Sequence, residues 1–77
     1  MNKARRKELE KINSELEKLK ERIDLIAEEE QEARDNLPDS LQDSEKAEIM
    51  DENVTDLENA SSNIQDVIDE ILGVIGR

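Results

Sequence analysis

The sequence predicts an all-α fold: an antiparallel two-helix coiled-coil hairpin that pairs with a second copy as a homodimeric four-helix bundle. Three observations predict it. Two long segments carry apolar residues in alternating steps of three and four, which is the seam of a coiled coil. The only proline, Pro38, lies between these segments. The two seams are also mirror images of each other about the stretch that contains this proline.

The first helix is predicted over residues 3–36. Its seam consists of Leu9, Ile12, Leu16, Leu19, Ile23, Ile26, Glu30 and Ala33. A residue that precedes a proline is pushed out of the helical conformation. The first helix should therefore end near Asn36 or Leu37.

The turn is predicted over residues 37–44, a stretch rich in Asp and Ser, whose side chains compete with helix continuation. Ser44, followed by Glu45, is the best candidate for the N-cap of the second helix, with Asp43 as the alternative. Leu37 and Leu41 are expected to fold over the closed end of the core; the alternative is that both are exposed loop residues.

The second helix is predicted over residues 45–75. Its seam consists of Ala47, Met50, Val54, Leu57, Ser61, Ile64, Ile68, Ile71 and Ile75. In an antiparallel pair the numbers of facing residues have a constant sum, which is 80 here, so Leu16 should face Ile64 and Ile12 should face Ile68. Asn13 and Lys20 are expected on a polar edge that water covers. All 77 residues thus form a single helical hairpin.

Several apolar residues lie outside both seams and form a candidate oligomer or partner face. They are Leu25, Ile49, Ala60, Val67, Leu72 and Val74. Scattered apolar residues are also normal on protein surfaces, which is the alternative interpretation. However, a chain of 77 residues without cysteine seldom supports itself on one core. This shortage favours a homodimer.

Charge is distributed unevenly along the chain, whose net charge is −11. Residues 1–36 contain nine Lys/Arg and eleven Asp/Glu, whereas residues 37–77 contain two and eleven. The basic cluster, Lys3 to Lys7, is expected to be neutralised by Asp66, Asp69 and Glu70, within the chain or across a dimer. An acidic chain with no aromatic residue lacks the features that bind nucleic acid directly.

The composition also argues against catalysis and against a bound cofactor or metal. The chain has no His and no Cys, so the usual nucleophile systems and soft-metal sites have no residues to form them. The stretch from Asp51 to Ser62 does not fit a calcium loop, because Asp56 takes the position of the required glycine. No apolar run approaches about 18 residues, which predicts a cytoplasmic protein with no membrane segment.

The turn carries one resemblance. The stretch EEQEARDNLPDSLQDSEKAE, residues 29–48, resembles the turn of small helical-hairpin proteins of bacteria and their phages, which share a similar Asn-Leu/Met-Pro-acidic-x-Leu-Gln-x-Ser-Glu pattern. The resemblance covers about a quarter of the chain. It implies the hairpin fold and a phage or prophage setting, and it implies no activity.

Two functions follow from these observations. The first is a non-catalytic structural or protein-interaction module that acts as a dimeric hairpin. The second is an acidic inhibitor that mimics nucleic acid and occupies a basic groove of a partner protein. Its acidic face would consist of Glu45, Glu48, Glu52, Asp56, Asp66, Asp69 and Glu70. A neutral gap at Asn59, Ser62 and Asn63 interrupts that face, whereas a phosphate ladder is continuous.

Overall fold

Two long helices form the fold in the computed structural model, which describes residues 1–77. Helix α1 spans Lys3–Asp35, helix α2 spans Glu45–Ile75, and a short 3-10 turn at Asp39–Leu41 lies between them. The helices pack against each other in a rod of 60 × 15 × 12 Å, and the chain contains no strand. The predicted helical hairpin is confirmed.

Both helices begin with a side-chain cap. The side chain of Asn2 accepts a hydrogen bond from the backbone N–H of Arg5 at 2.8 Å. The predicted cap of α2 is confirmed, because the Ser44 hydroxyl accepts from the Ala47 N–H at 3.2 Å. Glu45 and Glu48 occupy the first turn of α2, where a carboxylate is favoured by the helix dipole.

The connection between the helices is short, and Pro38 directly precedes its 3-10 turn. Helix α1 ends at Asp35 with Asn36 as its C-cap, close to the predicted end. Leu37 is half-buried, but Leu41 remains 40% exposed. Leu37 is therefore partly covered, as expected, whereas the expectation that Leu41 folds over the core is wrong.

The core side of α2 matches the predicted seam. The buried residues of this helix are Ala47, Met50, Val54, Ser61 and Ile68. Ile68 is only 1% exposed and is the largest fully buried side chain. The seam residues between them, Leu57, Ile64 and Ile71, are half-buried.

The seam predicted for α1 is wrong at alternate positions. Ile12, Leu19 and Ile26 are 38%, 46% and 53% exposed, and Ala33 is exposed as well. In each case the following residue takes the inward place. These residues are Asn13 and Ala27, which are buried, and Lys20 and Arg34, which are half-buried. Leu9, Leu16 and Ile23 are half-buried and belong to both versions of the seam.

Polar contacts accompany the rotation of α1, which is about 50°, half of the roughly 100° between neighbouring residues, because only alternate seam positions change. Asn13 was expected on a water-covered edge, but it is 5% exposed and its side-chain amide donates to the Ile68 carbonyl at 3.2 Å. Arg34 likewise reaches Asp51 at 3.0 Å. Both bonds depend on the inward position of these side chains.

The open end of the hairpin carries few polar contacts. The guanidinium of Arg6 donates to the backbone carbonyl of Arg77 at 3.3 Å. The expected pairing of the basic cluster with Asp66, Asp69 and Glu70 is not formed within the chain, whose two ion pairs are Lys20 with Asp24 and Arg34 with Asp51. Neither helix has the length and apolar composition that a membrane crossing requires.

Candidate interaction surface

One long side of the hairpin is apolar, and we call it the apolar face. It combines a row of α1 with a row of α2, and in both rows the residues are seven apart. The residues are Ile12, Leu19, Ile26, Ala60, Val67 and Val74. In each helix this row directly precedes a row that faces the other helix, so it points about a quarter turn away from the contact between the helices.

The floor of the apolar face is the groove between the helices. Leu57, Ile64 and Ile71 are half-buried in α2 and supply apolar surface along this floor. At the turn side the groove becomes polar: Ile26 and Leu57 line it together with Glu29, Glu30, Asn53 and Asp56. The Asn53 amide donates to the Glu30 carboxylate at 2.8 Å, which ties the two helices together across this groove.

The candidate partner face from the sequence is divided by the structure. Ala60, Val67 and Val74 share the apolar face, although Val74 is half-buried. Ile49, 50% exposed, lies at the outer edge of the same side of α2.

Two residues of the candidate partner face lie elsewhere. Leu72 is 53% exposed and stands about 140° around α2 from Val67, on the other side of the hairpin. Leu25 is 54% exposed and lies on the side of α1 that faces away from α2.

The heptad pattern predicts Ile12, Leu19 and Ile26 in the core, so it does not reveal the α1 half of the apolar face. The signal that identifies them is the run of neighbours that follows them. Asn13 and Ala27 each extend a second possible seam through the same Leu9, Leu16 and Ile23 positions. An apolar stripe that holds two overlapping seams is too wide for one partner helix to cover. The residues that belong to only one of the seams then stay exposed.

The opposite side of the hairpin carries a polar cluster near its middle. Ser61 is 4% exposed, and its hydroxyl donates a hydrogen bond to the Asp24 carboxylate. Lys20 donates to the same carboxylate at 3.3 Å. The hydrogen bond from Ser61 lowers the pKa of Asp24; desolvation partly opposes this effect, and the hydrogen bond and charge of Lys20 add smaller lowering effects.

This lowered pKa predicts how acid affects the hairpin. A carboxyl group with a lower pKa in the folded state stabilises the fold above its unfolded pKa, and the stabilisation is lost as the pH falls through the folded value. For Asp24 this loss lies below its ordinary value of 3.8. We expect Ser61→Ala to raise the Asp24 pKa in an NMR titration and to weaken the acid sensitivity of the melting temperature. Ser62→Ala is the matched control, and an unchanged Asp24 pKa in Ser61→Ala would contradict the assignment.

A polar cluster, which we call the turn clamp, holds the closed end. The Arg34 guanidinium donates to the side chain of Gln42, to the Gln42 carbonyl at 3.1 Å, and to Asp51 at 3.0 Å. The Gln42 amide in turn donates to the Leu37 carbonyl at 2.7 Å. The clamp joins the end of α1, the turn and the first part of α2. Its place at the corner makes it a structural element.

The residues of the proposed acidic face are all exposed on α2. The neutral gap at Asn59, Ser62 and Asn63 is exposed too, so it interrupts the charge on the surface. No group of three or more acidic side chains converges in a way that would hold a metal ion.

Comparison with known proteins adds no relative: no family model matches the chain, and none of the curated proteins or solved structures compared with it is a match. The resemblance of the turn to hairpin proteins of bacteria and phages therefore stays a prediction.

Proposed function

We propose that this chain is a non-catalytic protein-interaction module that acts as a dimeric helical hairpin. The observation that supports it is the amount of apolar side chain the hairpin leaves outside. Only 7 of 77 residues are buried, while nine large apolar residues are at least 38% exposed. Four of the nine, Ile12, Leu19, Ile26 and Val67, lie together on the apolar face, and contiguous apolar surfaces mark contacts with other proteins.

Within this proposal the apolar residues have two roles. The apolar face joins two copies, and apolar residues outside it contact a different protein. Leu25 and Ile49 suit the second role, since each is at least half exposed and lies outside the two rows of the apolar face. The cytoplasm, in a phage or prophage setting, is the proposed location.

A second candidate is the acidic inhibitor, and the charge near the turn favours it. Residues 28–52, which we call the turn end, hold eleven Asp/Glu and two Lys/Arg. Glu45, Glu48 and Glu52 are exposed there and would meet a basic groove. The neutral gap farther along α2 makes this the weaker candidate.

Salt and substitutions separate the two functions. With the tagged chain as bait, a protein bound through Leu25 should stay bound in about half-molar salt, where charge interactions are screened to a few ångströms. Leu25→Ser should release it, whereas the triple variant Glu48→Gln, Glu52→Gln, Asp56→Gln should retain it. The matched control is Ser14→Ala, an exposed change on the same helix.

The reverse pattern supports the acidic inhibitor instead. Release by half-molar salt, together with loss of binding in the triple variant and normal binding of Leu25→Ser, would contradict the interaction module and place the contact on the acidic face.

A further inference from the structure

The hairpin exposes more surface than a protein of its mass normally does. Its accessible surface is 5842 Å² for 8.8 kDa. Compact monomers of this mass expose about 4,800 Å², so the excess is roughly 1,000 Å². A standard interface buries about 800 Å² on each partner. One interface of standard size on one long side of the rod would remove most of this excess.

The α1 row of the apolar face has the symmetry that a second copy requires, whereas the α2 row extends to only one side of Ala60. In an isologous dimer the same surface meets itself about a twofold axis. The row of α1 is symmetric about Leu19, with Ile12 and Ile26 one heptad to either side. Leu19 is also the middle residue of α1, and Ala60 is the middle residue of α2. If a twofold axis passes through these two positions, each helix of one copy overlaps the same helix of the other copy over its full length.

The next heptad positions extend this match. Arg5 precedes Ile12 by seven residues, and Ala33 follows Ile26 by seven. If the copies run in opposite directions, Arg5 of one copy lies over the small Ala33 of the other, beside Glu29 and Glu30. Arg5 makes no ion pair within its own chain.

Charge selects between the two orientations that the twofold symmetry allows. The open end, residues 1–12 and 66–77, holds six Lys/Arg and five Asp/Glu, against two and eleven at the turn end. If the two copies ran in the same direction, their turn ends would lie against each other, and the excess of acidic residues in both would repel. In antiparallel copies each turn end lies beside an open end. This arrangement is favoured because it avoids the repulsion between the two acidic turn ends.

We infer that the apolar face is covered by a second copy of this chain in an antiparallel dimer, with Leu19 on Leu19 and Ala60 on Ala60 at the twofold axis and the turn end of each copy beside the open end of the other. This inference rests on the dimer of the proposed function and adds the face and the orientation.

Light scattering after size exclusion tests the face. The natural chain should give about twice 8.8 kDa, and Leu19→Glu should reduce the mass to that of one chain. Leu25→Glu is the matched control, since it makes the same change in the same helix at a similar exposure of 54% against 46%. It should remain a dimer.

Disulfide formation tests the orientation and does not require a disruptive substitution. The chain has no cysteine, so one introduced at position 60 reports only on its own neighbours. Under mild oxidation the cysteine of Ala60→Cys should form a disulfide with the same cysteine of the second copy. At the twofold axis the Cα atoms of the two cysteines lie within the roughly 7 Å that a disulfide spans. Ser62→Cys, on an outer side of α2, should not.

Each contrary result overturns a different part. A monomeric natural chain would overturn the dimer in the proposed function as well as this inference. A dimer that survives Leu19→Glu and is lost in Leu25→Glu would overturn the face and leave the proposed function standing. Cross-linking between Ala60→Cys and Leu19→Cys chains when mixed, with none in Ala60→Cys alone, would overturn the orientation.

Discussion

Replacing Ile68 with alanine is expected to lower the free energy of unfolding by about 2–5 kcal/mol, the usual cost of truncating a buried isoleucine. Ile68 is 1% exposed and its carbonyl accepts from Asn13, so the site joins both helices. A domain of this length has a total stability of roughly 4–12 kcal/mol. The variant should therefore be largely unfolded well below the melting temperature of the natural chain, as followed by circular dichroism at fixed protein concentration.

Leu25→Ala is the control for this truncation, because Leu25 is 54% exposed and lies away from α2. It should change the free energy of unfolding by no more than about 0.5 kcal/mol. Equal losses in the two variants would mean that Ile68 does not occupy the centre of the contact between the helices.

Replacing Arg34 with alanine should have the second largest effect, about 1.5–3 kcal/mol, the value for hydrogen bonds that involve a charged group. Most of it should come from the lost bonds to Gln42, since the Arg34 side chain is only 18% exposed. The ion pair with Asp51 should contribute little, because that carboxylate is 56% exposed and screened by water. Urea denaturation of the two proteins measures the difference.

Arg34→Lys separates charge from geometry in the turn clamp. Lysine keeps the charge but not the planar group that contacts Gln42 and Asp51 together, so it should be nearly as unstable as alanine. Arg22→Ala, an exposed arginine of the same helix, should be close to neutral. Full stability of Arg34→Lys would show that the clamp acts through charge alone.

The hairpin could be predicted from the sequence because its signals agree with one another. Pro38 ends one helix, Ser44 caps the next, and the α2 seam runs from Ala47 to Ile75 with Ser61 as its only polar residue. The register could also be predicted closely: Asn13 lies at Ile68, where Ile12 was expected.

The rotation of α1 could not be predicted, because it depends on bonds between residues far apart in the chain. Hydrophobicity alone prefers Ile12, Leu19 and Ile26 inside. The observed rotation instead places Asn13 against a backbone carbonyl 55 residues away. For the same reason, only part of the candidate interaction surface could be predicted from the sequence. The heptad pattern places Ala60, Val67 and Val74 outside the seam, but it places the apolar α1 residues of this face inside the core.

The turn clamp also has a consequence for how the chain folds. Its bonds join residues 8 and 17 positions apart, whereas the contact of Arg6 with Arg77 at the open end closes 71 positions. The entropy lost in closing a loop grows with its length, so the contacts near the corner are the least costly to form first. Each further layer then closes only a short additional segment. The hairpin should fold as a zipper that starts at the corner, and its two chain ends should be the last to join and the first to separate.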